Sequence, residues 1–190
     1  MAEAELIYVV GASGSGKDSL MAYARSHLSE NAKVVFTHRY ITRPADAGGE
    51  NHVALECKEF LSRKAMGCFS MSWYSHDTYY GIGIEVNQWL SKGINVVVNG
   101  SRGYLNQAAR KYSELRPVLI SVRPEILRSR LEQRGRESKK EIEQRLIQAN
   151  ELEAFVNHPR LVKIENNGSI KEAGLELLDM IQSTHKVQCA

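Results

Sequence analysis

The 190 residues suit one domain with a sizeable core, at the usual allowance of about 150 residues per domain. With 43% apolar and 25% charged residues the composition is that of an ordinary globular chain, which excludes a disordered, collagen-like or disulfide-dense protein. The 25 basic and 22 acidic residues leave a net charge of only +3, too small a surplus to point to nucleic acid or a membrane surface, so any basic site is local.

The first residues, Met1-Ala2-Glu3-Ala4-Glu5, carry acid where an export or transit sequence has Lys or Arg, and the apolar run Leu6 to Val10 is too short for a signal core. No stretch approaches the roughly 18 apolar residues of a membrane span. A cytoplasmic location is expected, with Cys57, Cys68 and Cys189 as reduced thiols, since they show neither a disulfide framework nor metal-ligand spacing. The sequons Asn99-Gly100-Ser101 and Asn167-Gly168-Ser169 are then chance matches.

Leu6 to Val10, rich in β-branched and aromatic residues and ended by glycine, reads as a strand buried on both faces. Ile94 to Val98 and Val118 to Val122 resemble it, and Lys33 to Thr37 and Leu161 to Ile164 complete about five core strands. Helical patterns lie between them at Ser19 to Leu28, Tyr104 to Tyr112 and Glu125 to Gln133, the last with Pro124 in its first turn. Two more helices open on capping boxes, Ser138 to Glu141 and Ser169 to Glu172, and after the first Ile142, Leu146, Ala149 and Leu152 form one apolar stripe. The alternation predicts an α/β fold, a parallel sheet with helices on both faces and ligands beyond the strands' carboxyl ends. Residues 38–92 break it with a glycine-containing loop (Ala45 to Asn51), a short helical pattern (Glu56 to Met66), tyrosine- and tryptophan-rich segments (Phe69 to Tyr80) and a helical segment around Trp89. They read as a substrate module inside a single domain, 1–190.

Gly11-Ala12-Ser13-Gly14-Ser15-Gly16-Lys17 directly follows the first strand and opens a helix, the context a P-loop requires. The glycines let successive backbone N–H groups and the positive helix end face one anion, and Lys17 reaches its β- and γ-phosphates, which points to a nucleoside triphosphate. The alternative, a flexible Gly/Ser turn, does not explain the lysine. Asp18 stands where Ser or Thr normally ligates magnesium, with Ser19 after it, and the Ile94 strand ends in Val98-Asn99 where many P-loop enzymes place an acid. Either Asp18 supplies, directly or through water, the negative charge that magnesium would otherwise find at the later strand, or it is merely favoured by the helix dipole.

Further on, Arg39-Tyr40-Ile41-Thr42-Arg43-Pro44, Gly48-Gly49-Glu50, Tyr80-Gly81, Arg134-Gly135 and Arg145 resemble the guanylate kinase family over nearly the whole chain. The resemblance implies a P-loop kinase fold in which Arg39, Arg43 and Tyr80 bind the acceptor's phosphate and residues 134–150 form a lid. Two positions depart from it: Ala45-Asp46 replaces a second arginine, and Gly67-Cys68-Phe69 leads into Ser70-Met71-Ser72-Trp73 rather than to a base-reading glutamate. A site without that partner loses discrimination for a purine edge. Together with Gly16-Lys17-Asp18-Ser19 and Val98-Asn99-Gly100-Ser101-Arg102, the pattern resembles the ribose 1,5-bisphosphate phosphokinase family. That family's role implies ATP with magnesium as cofactors and ribose 1,5-bisphosphate as acceptor, giving 5-phospho-α-D-ribose 1-diphosphate in phosphonate breakdown.

On this reading Gly11 to Ser19 hold the nucleotide, Asp18 and Ser19 its metal, and Lys17, Arg134 and Arg145 clamp the transferred group, with Gly135 a hinge. Ser101 and Arg102, just beyond a strand's carboxyl end, are candidate contacts to the ribose or its second phosphate. Glu50 either hydrogen-bonds a ribose hydroxyl or orients Arg43. Arg128, Arg130 and Arg136 are expected on a solvated helix face; His38, His52 and His76 form no metal triad and are expected to be structural or exposed; Trp73 and Trp89 are expected to pack. The rival readings are a nucleoside-monophosphate kinase with altered base preference and a peptide-binding guanylate-kinase-like module, the second disfavoured by the complete P-loop and lid arginines.

Overall fold

A computed structural model describes residues 4–45, 50, 52–156 and 158–183, the side chains of 152–155 excepted. Strand β1 (Leu6–Gly11) is the axis of the fold, and its period-two alternation feeds two cores. Leu6, Tyr8 and Val10 point to one face of the sheet, and Ile7 and Val9 to the other. Helix α1 (Lys17–Ser26) follows, then β2 (Val34–Phe36). The inserted module contains β3 (Arg39–Ile41), β4 (Val53–Ala54), α2 (Cys57–Ala65), β5 (Phe69–Ser75), β6 (Thr78–Gly83) and α3 (Glu85–Ser91). The chain returns to the main sheet through β7 (Asn95–Asn99), a 3-10 turn at Arg102–Tyr104 and α4 (Leu105–Lys111), then β8 (Leu115–Ser121). Helices α5 (Pro124–Arg134) and α6 (Lys139–Phe155), strand β9 (Val162–Glu165) and α7 (Ile170–Ser183) complete it.

The main sheet is parallel throughout, in the order β2-β7-β1-β8-β9. On one face α1 and α7 contribute Leu20, Ala24, Leu177 and Ile181 to a core with Ile7, Val9, Val97 and Ile120. On the other, Val86 of α3 and Leu105 and Ala108 of α4 pack on Leu6, Tyr8, Val96 and Val98. A third cluster joins α5 to α6 through Leu127, Leu131, Ile142 and Leu146, with Ala149 beside them. Among the described residues no helix is long and apolar enough to cross a membrane.

All five expected core strands and their helices form, with two differences. Strand β8 begins at Leu115, three residues before the expected Val118, because Pro117 sits where only β1 pairs with it; β9 joins from Val118 onward, so the missing N–H leaves no gap between β8 and β9. The inserted module has a second sheet, β4-β3-β6-β5, with antiparallel β3-β6 and β5-β6 pairs. Both capping boxes form: the Ser138 N–H donates to Glu141 Oε2 at 2.7 Å and the Ser169 N–H to Glu172 Oε2 at 3.1 Å. Asp46, Gly48, Gly49 and Cys189 and the Leu152 side chain lie outside the described residues.

Candidate active site

The P-loop runs from the end of β1 into α1. Gly14 and Gly16 adopt φ values of 90° and 82°, and a Cβ on Gly16 would overlap Asn166 Nδ2. That amide donates to the Ser15 carbonyl at 2.7 Å, and Arg130 of α5 donates to the Asn166 carbonyl at 2.9 Å and to Ser15 O at 3.4 Å. The loop is therefore braced from behind by two residues outside its motif. Every residue from Gly11 to Ser19 lines one large cleft except Ser15. Between the two glycines the Ser15 side chain is fully buried and its N–H donates to the Ala12 carbonyl at 3.0 Å.

Lys17, the first residue of α1, donates to Asp18 Oδ1 at 2.8 Å and to Asn99 Oδ1 at the end of β7. Asn99 donates in turn to Asp18 Oδ1 at 2.8 Å and to Glu50 Oε2 at 3.0 Å, and Arg39 donates to both Glu50 oxygens, at 2.8 Å from its Nε. One amide thus joins the P-loop to the inserted module. Burial lowers the Lys17 ammonium's pKa, against the opposing pull of Asp18. Burial works to raise the Asp18 pKa, but the Lys17 charge and the bonds from Lys17 and Asn99 hold it below its ordinary value. Burial likewise lowers Arg39, with Asp18 opposing.

Of the expected acceptor contacts, Arg39, Tyr80, Ser101 and Arg102 line the cleft; Arg43 and Glu50 do not. Glu50 sits one layer back, bonded to Arg39 and Asn99. The Arg43 carbonyl lies 3.1 Å from His52 Nε2, whose Nδ1 is 3.1 Å from the Glu50 carbonyl, so the buried His52 ties two ends of the loop, as a structural histidine would. Ser101 is held by the buried Tyr8 phenol, which accepts from its N–H and donates to its carbonyl, both at 2.9 Å. Arg102 reaches across to the Gln148 carbonyl of α6 at 2.9 Å.

The acceptor end has an aromatic wall. Trp73 of β5 pairs with Tyr80 of β6 in register, their rings 5.6 Å apart and within 6° of parallel. Tyr104 lies 5.7 Å from Trp73, and the Arg39 guanidinium stands 5.0 Å from the Tyr80 ring centre. Trp73 packs on the core as expected, yet it also lines the cleft.

On the opposite side α5 and α6 present the lid arginines. Gly135 ends α5 in a left-handed conformation, φ 64°. Beyond it Glu137, its side chain only 5% exposed, pairs with Arg134 and lies 3.2 Å from Arg145, which also donates to Ser13 Oγ of the P-loop. The sequence reading passed over Glu137, whose partners meet only once α5 and α6 fold together. Arg130, expected on a solvated face, is instead half-buried against the P-loop and lines the cleft, while Arg136 is exposed as expected and also lines it. Arg128 does stand outside, paired with Glu143 at 2.6 Å.

The resulting cleft has a volume of about 1060 Å³. Lys17, Arg39, Arg102 and Arg130 line it together with three lid arginines (Arg134, Arg136, Arg145), and Asp18 is the one carboxylate among the described lining residues. A chain of nearly balanced charge has concentrated its cations around one space, which suits a polyanion with several phosphates. Among the described residues no group of three or more His, Cys, Asp or Glu could hold a metal by itself. Asp18, about half exposed in the cleft beside Ser19, fits magnesium of the kind that takes one carboxylate and completes its shell with phosphate oxygens and water.

A braced P-loop at the carboxyl edge of a parallel sheet, facing a cationic lid and a second binding module, defines a P-loop kinase. The sequence family described as "AAA domain" matches residues 7–151. Guanylate kinase from Anaplasma phagocytophilum superposes with a TM-score of 0.74 over 99% of this chain and 89% of that one, at 14% identity, a likeness of fold. Three curated relatives share much more sequence, and each is named ribose 1,5-bisphosphate phosphokinase PhnN. That from Desulfomicrobium baculatum is 56% identical over 95% of both chains. Those from Psychromonas ingrahamii and Thiobacillus denitrificans are each 49% identical, over 94% and 95% of this chain and 90% and 94% of their own. The chain belongs to the ribose 1,5-bisphosphate phosphokinase family.

Proposed function

We propose that the enzyme transfers the γ-phosphoryl group of ATP to the 1-phosphate of ribose 1,5-bisphosphate, giving 5-phospho-α-D-ribose 1-diphosphate and ADP, as a step of phosphonate catabolism. The bond from the γ-phosphorus to the β,γ-bridging oxygen breaks, and a new one forms to an acceptor phosphate oxygen. A phosphate monoester loses its second proton near about pH 6, so this nucleophile is already ionised and needs no general base. That fits a cleft in which Asp18, the one carboxylate among the described lining residues, is engaged by Lys17 and Asn99.

Catalysis then rests on holding two anions in line and neutralising the group in flight. The P-loop N–H groups and Lys17 hold the donor's phosphates, and Arg134 and Arg145 close on the transferred group from the lid. Asp18 and Ser19 would hold magnesium, directly or through water, and the ion would supply neutralising charge to the donor phosphates. Arg39 and Tyr80 grip one acceptor phosphate, Ser101 and Arg102 are offered to the sugar or its second phosphate, and Arg43 and Glu50 support the module that presents them. The observation that carries this reading is the seven cations that line a single cleft among the described residues, contributed by the P-loop, the inserted module, the turn after β7, α5 and the lid.

The test is transfer of label from γ-labelled ATP by the purified protein. Label in the pentose diphosphate is expected. Absence of that product alongside efficient phosphorylation of GMP would replace this reading with that of a nucleotide kinase.

A further inference from the structure

We propose that Trp73 determines acceptor specificity by filling, with the protein's own indole, the space at the acceptor end of the cleft that a nucleobase would need. The inference rests on the acceptor assigned above. An indole and a purine are both fused five- and six-membered rings of the same size. Here the indole already lies against Tyr80, the cleft residue beside Arg39, at 5.6 Å and within 6° of parallel. A nucleoside monophosphate anchored at Arg39 and Tyr80 would have to place its base where this ring stands.

The wall is also fixed. Trp73 and Tyr104 pack on the core cluster under the parallel sheet, and the in-register pairing of Trp73 with Tyr80 sets their separation. An open aromatic face would invite a base to stack. The Trp73 ring is instead covered by Tyr80 in an offset stack and abutted by Tyr104 at 5.7 Å. What remains around it is rich in hydroxyls, with Ser72, Ser75, Tyr80, Ser101 and Tyr104 all lining the cleft. Hydroxyl groups suit a phosphorylated pentose and offer no carboxylate to read a guanine edge.

The experiment compares wild type with Trp73→Ala and Trp73→Leu, the latter keeping apolar packing while removing the bicycle. Binding of AMP and GMP is measured calorimetrically with a non-hydrolysable ATP analogue present, together with kcat/KM for each nucleotide and for ribose 1,5-bisphosphate. Thermal shift by ATP identifies the folded variants. The expected result is a gain of about tenfold or more in nucleotide binding, and in the ratio of nucleotide to sugar kcat/KM, carried by binding more than by kcat. A purely structural tryptophan would lower both activities together.

Folded variants that gain no nucleotide affinity overturn the proposal. So does a wild type that binds nucleotides and loses them on substitution, since Trp73 would then be a stacking platform. If Trp73→Ala fails to fold, Trp73→Leu is judged by the same ratio. Failure of wild type to phosphorylate the sugar would refute the acceptor assignment separately, while the nucleotide titrations still decide the role of Trp73.

Discussion

Asn99 donates to Asp18 Oδ1 at 2.8 Å, tying the end of β7 to the first turn of the P-loop helix. Its amide is nearly buried and also donates to Glu50, so this position needs a donor between two carboxylates. Asn99→Asp would replace the donor with a third carboxylate and leave like charges within hydrogen-bond reach. Loss of two such bonds, at roughly 1.5 kcal/mol each, is expected to lower stability by about 3 kcal/mol in denaturant unfolding. Turnover is expected to fall about 100-fold, as Lys17 and Arg39 lose their common orientation. A variant as stable and active as wild type would remove Asn99 from the account.

Asp18 makes an acid-dependent contribution. Its carboxyl titrates lower in the folded protein than its ordinary value of 3.8, so the stabilisation it supplies is complete above that value and is lost as pH falls through the folded one. Asp18→Asn is therefore expected to be less stable than wild type near about pH 6, and the gap in melting temperature should narrow on acidification to about pH 3. The same variant, like Asp18→Ser, is expected to need about tenfold more magnesium for half-maximal turnover. Unchanged magnesium dependence would leave Asp18 only its pairing with Lys17.

Much of this was legible in the sequence, for identifiable reasons. The main sheet announces itself because a strand buried on both faces is a continuous apolar run, as in Leu6 to Val10, and the P-loop because its glycines and lysine are contiguous. The second sheet was hidden: β3 and β4 have only three and two residues, too few to show alternation. Pro117 concealed the start of β8, since the partner missing at that point is a fact of topology. Asn99 was read as the absence of an acid, because its role depends on Asp18 and Glu50, 81 and 49 residues away. Glu137 is hidden likewise, since Arg145 reaches it only after α6 packs on α5.

Glu137 is the internal counter-ion of the lid. It pairs with Arg134 and Arg145, so a phosphate bound by these arginines would compete with its carboxylate for the same two guanidinium groups. Glu137→Gln removes the competitor but also the group that orients both arginines. ATP is expected to bind about three- to tenfold more tightly by calorimetry, a gain of roughly 1 kcal/mol. Turnover is expected to fall about tenfold, because arginines no longer held in place lose more in the transition state than in the ground state. Weaker ATP binding with unaltered turnover would show that Glu137 does not compete.

The β5-β6 hairpin closes on His76-Asp77, both at positive φ, 49° and 54°. A two-residue hairpin turn with both residues in the left-handed region favours Asn-Gly, so this pair is held there at a cost in backbone strain, offset in part by the Tyr74 hydroxyl donating to Asp77 at 3.1 Å. The tip reaches the cleft, where His76 forms part of the lining. Combining His76→Asn with Asp77→Gly relieves the strain while losing one exposed hydrogen bond. A net gain of about 0.5–1 kcal/mol is expected, which for a chain of this size raises the melting temperature by about 1–4 °C. A lower melting temperature would mean that contacts of His76 and Asp77 outweigh the strain, and that the turn is stabilised by its side chains.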